Sequence, residues 1–243
     1  QPLMRRRPFR SPHHTISDAG LCGGGTHPRP GEISCAHNGV LFLDELPEFK
    51  RQALEVLRQP MEEGRIVLSR ARFSVAYPAR FMLVASMNPC PCGFLTDPAR
   101  PCSCTPQQIQ RYLSKVSGPL LARIDVHVEV MPVPFAAMRA STGGASSAAI
   151  RERVLAARER QLQRPGGTTN AMLSPKRLRA VCPLDDASHH LLKLAMDRLS
   201  LSARAYDRIL KVARTVADLA GSEQIEAGHL SEAIQYRALD RKW

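Results

Sequence analysis

The run Gly39-Val40-Leu41-Phe42-Leu43-Asp44-Glu45 constrains this chain most: five residues without a polar side chain stop abruptly at two carboxylates. A continuous apolar run of this length, rich in β-formers and preceded by the turn-like His37-Asn38-Gly39, predicts a strand buried on both faces. In open α/β sheets ligands bind beyond the carboxyl ends of the strands, which would put Asp44 and Glu45 in a crevice. That is the pattern of a Walker B element, where the Asp helps hold Mg²⁺ on a nucleotide and the next carboxylate polarises the attacking water. A strand that merely runs into an acidic turn reads the same way, so the downstream sequence has to separate the two.

After this strand, Pro47 suits a first helical turn, and Phe49, Ala53, Leu54, Val56 and Leu57 give a helix an apolar face up to about Arg58. From Arg65 to Tyr77, Ile66, Leu68, Phe73 and Val75 alternate with polar residues around Ser69-Arg70-Ala71-Arg72, predicting a β-hairpin with a basic tip. Arg70 and Arg72 there either touch nucleic acid or protect an exposed edge from aggregation. Phe81 to Met87 reads as a second buried strand, ending in Asn88-Pro89. An amide at the tip of a neighbouring strand is placed to orient a water or a γ-phosphate; a turn-forming Asn-Pro is the bland alternative. Leu120 to Asp125 reads as a helix end carrying Arg123, and Val126, Val128 and Val130 then alternate as a third strand. A guanidinium at that junction suits phosphoryl charge on a neighbour's nucleotide, or pairs structurally with Asp125.

Residues 11 to 38 are rich in Ser, His, Gly and Pro and read as loop with short inserted elements. The adjacent His13 and His14 do not suit a shared metal ion. Residues 139–149 read as a connector. Helices are predicted beyond it over Ile150–Gln163, from Ser174-Pro175, over Asp186–Leu199, over Ser202–Leu219 with Gly221 as the stop, and over Ala227–Leu239. The predicted architecture is an α/β core over 1–138, a linker over 139–149 and an all-helical domain over 150–243. Arg204 and Arg208, one turn apart, are surface charges or a phosphate clamp.

Formal charge is +12, and residues 1–150 and 151–243 each hold 17 basic and 11 acidic side chains. Such an even surplus favours polyanionic partners. No run approaches the ~18 to 20 apolar residues of a membrane span and the N-terminus has no signal-like apolar region, so a cytoplasmic protein without a membrane partner is expected. Without a secretory signal, the seven cysteines read as thiols or metal ligands rather than disulfides. Cys90, Cys92, Cys102 and Cys104 form C-x-C-x9-C-x-C. Four thiolates suit a structural Zn²⁺, but C-x-C is tighter than the usual pairing, and a turn with four reduced thiols is the alternative.

Taken in order, Ala36-His37-Asn38-Gly39-Val40-Leu41-Phe42-Leu43-Asp44-Glu45-Leu46, Met87-Asn88-Pro89-Cys90-Pro91-Cys92-Gly93 and Gly118-Pro119-Leu120-Leu121-Ala122-Arg123-Ile124-Asp125 resemble the magnesium-chelatase-like branch of the AAA+ ATPases. Arg7-Pro8-Phe9-Arg10-Ser11-Pro12-His13-His14 and the four cysteines resemble its bacterial ComM/YifB members. The resemblance implies a partial AAA+ core followed by a helical lid, in a hexameric ATP-driven motor that branch-migrates DNA during natural transformation. It implies ATP and Mg²⁺ as cofactors, Asp44 as the Mg²⁺ residue, Glu45 as the catalytic carboxylate, Asn88 as sensor 1, Arg123 as the arginine finger and Arg204 as sensor 2. The hairpin over residues 66–77 would be the pre-sensor 1 hairpin. No G-x-x-x-x-G-K-[ST] occurs in this sequence. The family's phosphate loop and Lon-like domain are expected upstream of Gln1, so the polypeptide alone is expected to bind ATP weakly and not to hydrolyse it. A metal-insertion subunit like that of magnesium chelatase, and a zinc-containing nucleic-acid or protein interaction module without catalysis, are the alternatives.

Overall fold

A computed structural model describes residues 6–25, 27–70, 73–133, 144–199 and 201–237. The chain forms two compact units, residues 1–124 and 125–243.

The first unit is built on a parallel sheet in the order β1 (Phe9–Arg10), β4 (Val40–Leu43), β7 (Met82–Ala85). Between β1 and β4 run α1 (Asp18–Cys22), the two-residue strands β2 (Gly23–Gly24) and β3 (Arg29–Pro30), and α2 (Glu32–Cys35), so the loop-rich stretch does carry short elements. Gly39 is where the entry to β1 presses on the entry to β4: a Cβ there would meet the Pro8 carbonyl oxygen at 1.9 Å, which only glycine avoids.

In β4 the strand reading holds with a smaller burial than expected. Leu41 and Leu43 are fully buried against Leu21, Ile33, Leu54, Leu57 and Leu120, while Val40 and Phe42 on the other face are only partly covered. β7 departs further from a buried strand. Met82 and Val84 are exposed, because β7 is the edge of the described sheet and one of its faces is uncovered.

After β4, the predicted single helix divides into a 3-10 turn (Leu46–Glu48), α3 (Arg51–Val56) and α4 (Arg58–Glu63), the last closed by Gly64 in the left-handed conformation at φ 67°. β5 (Arg65–Arg70) and β6 (Phe73–Pro78) pair antiparallel from Arg65↔Pro78 to Arg70↔Phe73, as the alternation predicts. The intervening Ala71 and Arg72 lie outside the described residues, as does the side chain of Arg70. Two short helices, α5 (Pro106–Leu113) and α6 (Gly118–Leu121), complete the unit.

The second unit contains no strand among its described residues. Its helices are α7 (Ser147–Gln163), α8 (Pro175–Val181), α9 (Asp186–Leu199), α10 (Ala203–Ala220) and α11 (Ala227–Gln235). Side-chain caps set their starts: Ser146, Ser174 and Ser202 each accept a bond from a backbone N–H of the first turn, and Asp185 accepts one from Ser188 at 2.8 Å. Gly221, at φ 80°, ends α10. Of the connector, residues 139–143 lie outside the described residues, and so do 238–239 of the last predicted helix.

The predicted third strand is not formed. Residues 125–133 have no regular structure, and Val126, Val128 and Val130 are exposed. Alternation supplies a strand's periodicity but not its hydrogen-bond partner, and the described part of this unit offers no strand to pair with. The His127 N–H bonds the Tyr236 carbonyl instead, at 2.9 Å.

Leu178, Leu192, Ile209, Leu210, Ala213, Ala217 and Leu230 form the helical core. Beside it, Asp218 is fully buried and accepts bonds from Arg164, from Arg214 Nε at 3.1 Å and from Asn170 Nδ2 at 2.8 Å. No helix among the described residues is long and apolar enough to cross a membrane.

Candidate active site

The register Leu43↔Ala85 brings the carboxyl ends of two neighbouring parallel strands level, so that Asp44 stands beside Ser86. The Ser86 hydroxyl donates to Asp44 Oδ1, and the Glu45 N–H donates to the same oxygen at 3.0 Å. The bonds to Asp44 fall on Oδ1, leaving Oδ2 on an exposed side chain to face a cation. The Leu46 N–H bonds the Ser86 carbonyl at 2.9 Å, locking the chain just past Glu45 to the β7 strand.

Glu45 itself is left-handed, at φ 53° and ψ 51°. For a residue with an ordinary side chain this costs about 1–2 kcal/mol, and such costs cluster at functional sites. Its carboxylate is half exposed, and His14 Nδ1 lies 3.4 Å from Glu45 Oε2. The ring of His14 lies tilted by 34° against His13 with centroids 4.1 Å apart and meets Phe49 edge-on at 6.3 Å. The paired histidines thus belong to the rim of the acidic tip.

Asn88 is exposed two residues beyond Ser86, on the same strand end. Tyr112 of α5 lies against its backbone: burial pushes the phenol up from its ordinary value, the charge of Glu48 adds to this, and a hydrogen bond with the Asn88 backbone pulls the other way. Asp44-Glu45 and Asn88 thus follow the carboxyl ends of the neighbouring strands β4 and β7. Ser86, His14 and Tyr112 were missed. Ser86 had a signal, the lone hydroxyl in the Phe81–Met87 run, whereas the other two are set by chain crossings that spacing does not report.

Arg123 is buried rather than projecting. Its guanidinium pairs with Glu62 Oε1 at 2.5 Å and donates to the Pro119 carbonyl at 2.6 Å. Arg204 is exposed at the start of α10 in the second unit, and Arg208 one turn on is paired with Asp125.

The chain from Cys90 to Cys104 has no helix or strand, and only Cys90 in it is buried. The four sulfurs nevertheless lie within 4.8 Å of one another, a group that can hold a metal ion such as zinc. Contacts are 3.4 Å for Cys90–Cys92, 3.7 Å for Cys90–Cys102 and 3.5 Å for Cys92–Cys102. The tighter C-x-C spacing therefore does not keep the two pairs apart. The thiols are held at unequal values: backbone N–H groups, Phe94's first, draw Cys92 down to about 5. Cys102 accepts the Cys104 N–H yet is pushed up to about 12 by burial and its sulfur neighbours.

The family described as magnesium chelatase, subunit ChlI, matches residues 1–138, and its C-terminal counterpart matches residues 144–237. The chain is 52% identical over 239 residues to the competence protein ComM of Haemophilus influenzae, covering 98% of this chain and 46% of that protein. It is 50% identical over 242 residues to YifB of Escherichia coli, covering 99% and 47%. A shorter match, 33% over 72 residues, joins it to the magnesium-chelatase 67 kDa subunit of Chlorobaculum parvum, covering 30% of this chain and 12% of that protein. The chain spans about half the length of the ComM and YifB proteins it matches.

Proposed function

The chain belongs to the ComM/YifB group of magnesium-chelatase-like AAA+ proteins, and from that premise we propose that it is the Walker B and lid part of an ATP-hydrolysing motor that acts on DNA. The observation that carries this reading is the pairing of β4 with β7, which sets Asp44-Glu45 and Asn88 at one sheet end.

In this reading Asp44, steadied through Oδ1 by Ser86 and by the Glu45 N–H, would hold the Mg²⁺ that accompanies ATP. The bound magnesium supplies neutralisation of phosphate charge. Glu45 orients and polarises the attacking water from a left-handed backbone at the strand end. Asn88 donates its amide to that water or to a γ-phosphate oxygen. Arg123 is the candidate finger for a neighbouring subunit's nucleotide, a role that requires it to leave Glu62 and its buried position, and Arg204 is the candidate phosphate sensor of the lid. A phosphate loop, a motif this sequence does not contain, would be needed to complete the nucleotide site. A ring of six subunits in the cytoplasm, branch-migrating DNA, is the motor that the resemblance to the competence protein ComM suggests. Arg70, the last paired residue of β5, and Arg72, two residues on in the sequence, are the proposed DNA contacts, in keeping with a net charge of +12.

The test is ATP hydrolysis by the whole protein, with and without branched DNA, in wild type and Glu45→Gln. DNA-stimulated turnover that disappears in the variant is expected. The match to the chelatase subunit favours a second reading, a metal-insertion motor, for which DNA would leave turnover unchanged. Absence of turnover in the wild type as well as the variant would refute both readings and leave a non-catalytic interaction module.

A further inference from the structure

The stretch between Asn88 and Thr105 poses a packing problem that the proposed ATPase chemistry does not absorb. It has no helix or strand, little apolar burial and no disulfide. Loops of this length without internal structure need another anchor. Gly93, at φ 83°, makes the turn that lets the Gly93 N–H bond the Cys90 carbonyl at 3.0 Å and returns Cys92 toward Cys90.

The sulfur distances identify the anchor. A disulfide would hold two sulfurs about 2.0 Å apart, so the contacts of 3.4, 3.7 and 3.5 Å are not bonds between sulfurs. Four sulfurs placed about 2.3 Å from a central ion at tetrahedral angles stand about 3.8 Å from one another. The observed spacings sit close to that edge, and the fourth sulfur falls within the same 4.8 Å limit. An all-thiolate tetrahedral set is soft and closed, which suits Zn²⁺ and leaves no position for a substrate.

We propose that Cys90, Cys92, Cys102 and Cys104 bind one Zn²⁺ as thiolates, releasing their four protons to solvent, and that this centre fixes the turn carrying Asn88. Both ends of the loop lead back to that residue. Cys90 follows it through the rigid Pro89, and Cys104 precedes Thr105, which caps α5 through a reciprocal bond pair with Gln108. α5 in turn carries Tyr112 against the Asn88 backbone. The zinc centre itself is independent of the ATPase reading; only the importance of holding Asn88 rests on it.

The experiment uses the whole protein, purified without chelator. Metal analysis is expected to find about one zinc per chain, falling below about a tenth in Cys102→Ser and unchanged in Cys35→Ser, whose exposed thiol lies outside the cluster. Because misfolding of the Cys102 variant would also lose zinc, wild-type protein is stripped with a thiol reagent and chelator and then given zinc back. Exchange of the Asn88 and Cys90 amides with solvent is expected to rise at least about tenfold on stripping and to recover on zinc addition, with the β4 amides unaffected. Protein that carries no zinc while folded refutes the centre. Zinc that can be removed without changing exchange at Asn88 refutes the positioning role. Neither result depends on ATP turnover, so failure here is distinct from failure of the motor reading.

Discussion

The left-handed backbone at Glu45 predicts that stability and activity oppose each other at this position. The side chain is half exposed and contacts the His14 ring, so exchanging it disturbs little packing. Glu45→Gln keeps the shape and the φ of 53° but removes the charge, and serves as the reference. Glycine in its place removes a strain of about 1–2 kcal/mol but adds about 0.4–1 kcal/mol of unfolded-state freedom, leaving a net gain of about 0.5–1 kcal/mol. Asparagine enters the left-handed region several-fold more readily than most residues without that added freedom, worth about 0.5–1 kcal/mol. Glu45→Gly and Glu45→Asn are therefore both expected to unfold at higher urea than Glu45→Gln, while all three lose ATP turnover. Two compact units are present, so the readout is urea dependence of exchange at the β4 amides rather than a global signal. Equal stability of the three variants, or a less stable glycine variant, would refute the claim that the Leu46–Ser86 bond holds Glu45 against its backbone preference.

Two further outcomes follow from the hydrogen bonds. Asp218→Ala leaves Arg214, which is 1% exposed, without its carboxylate, and should cost the helical unit about 3–5 kcal/mol in urea unfolding followed by circular dichroism. Ser86→Ala removes a donor to a charged oxygen of Asp44. A loss of about 1.5 kcal/mol implies roughly a tenfold rise in the Mg²⁺ concentration giving half-maximal ATP turnover by the whole protein, with folding stability little changed.

Legibility in the sequence tracks how local the determining physics is. The acidic tip was readable because an apolar run and its termination are both contiguous, and the hairpin because its two strands alternate on either side of a short tip. The helices of the second unit were readable from their ends, where Ser202 and Gly221 bracket α10 within a residue of the expected limits. Val126 to Val130 misled because alternation is a property of one segment and pairing a property of two. Burial of β7 was overestimated for a related reason: composition reports that a strand can be buried, while sheet position decides whether it is. Spacing could not place His14 beside Glu45 or Glu62 against Arg123, since each contact depends on where a separate element crosses.

The two strand tips are held by different means, and the difference bears on what each can do. Glu45 sits in a costly conformation secured by a backbone bond to the neighbouring strand, so its position depends on β4 and β7 remaining in register. Asn88 lies beyond the last paired residue of β7, where the ladder no longer constrains the chain, and the next residues toward Thr105 bury almost nothing. An amide that must meet phosphate or water within a few tenths of an ångström cannot rely on such a tail. The four sulfurs begin two residues later, which is as close to Asn88 as a covalently connected anchor can come while leaving the amide and Pro89 clear of the ion. Their placement in the sequence is thus accounted for by the strand end they follow. A turn needing only compactness would have no reason to gather four thiols there.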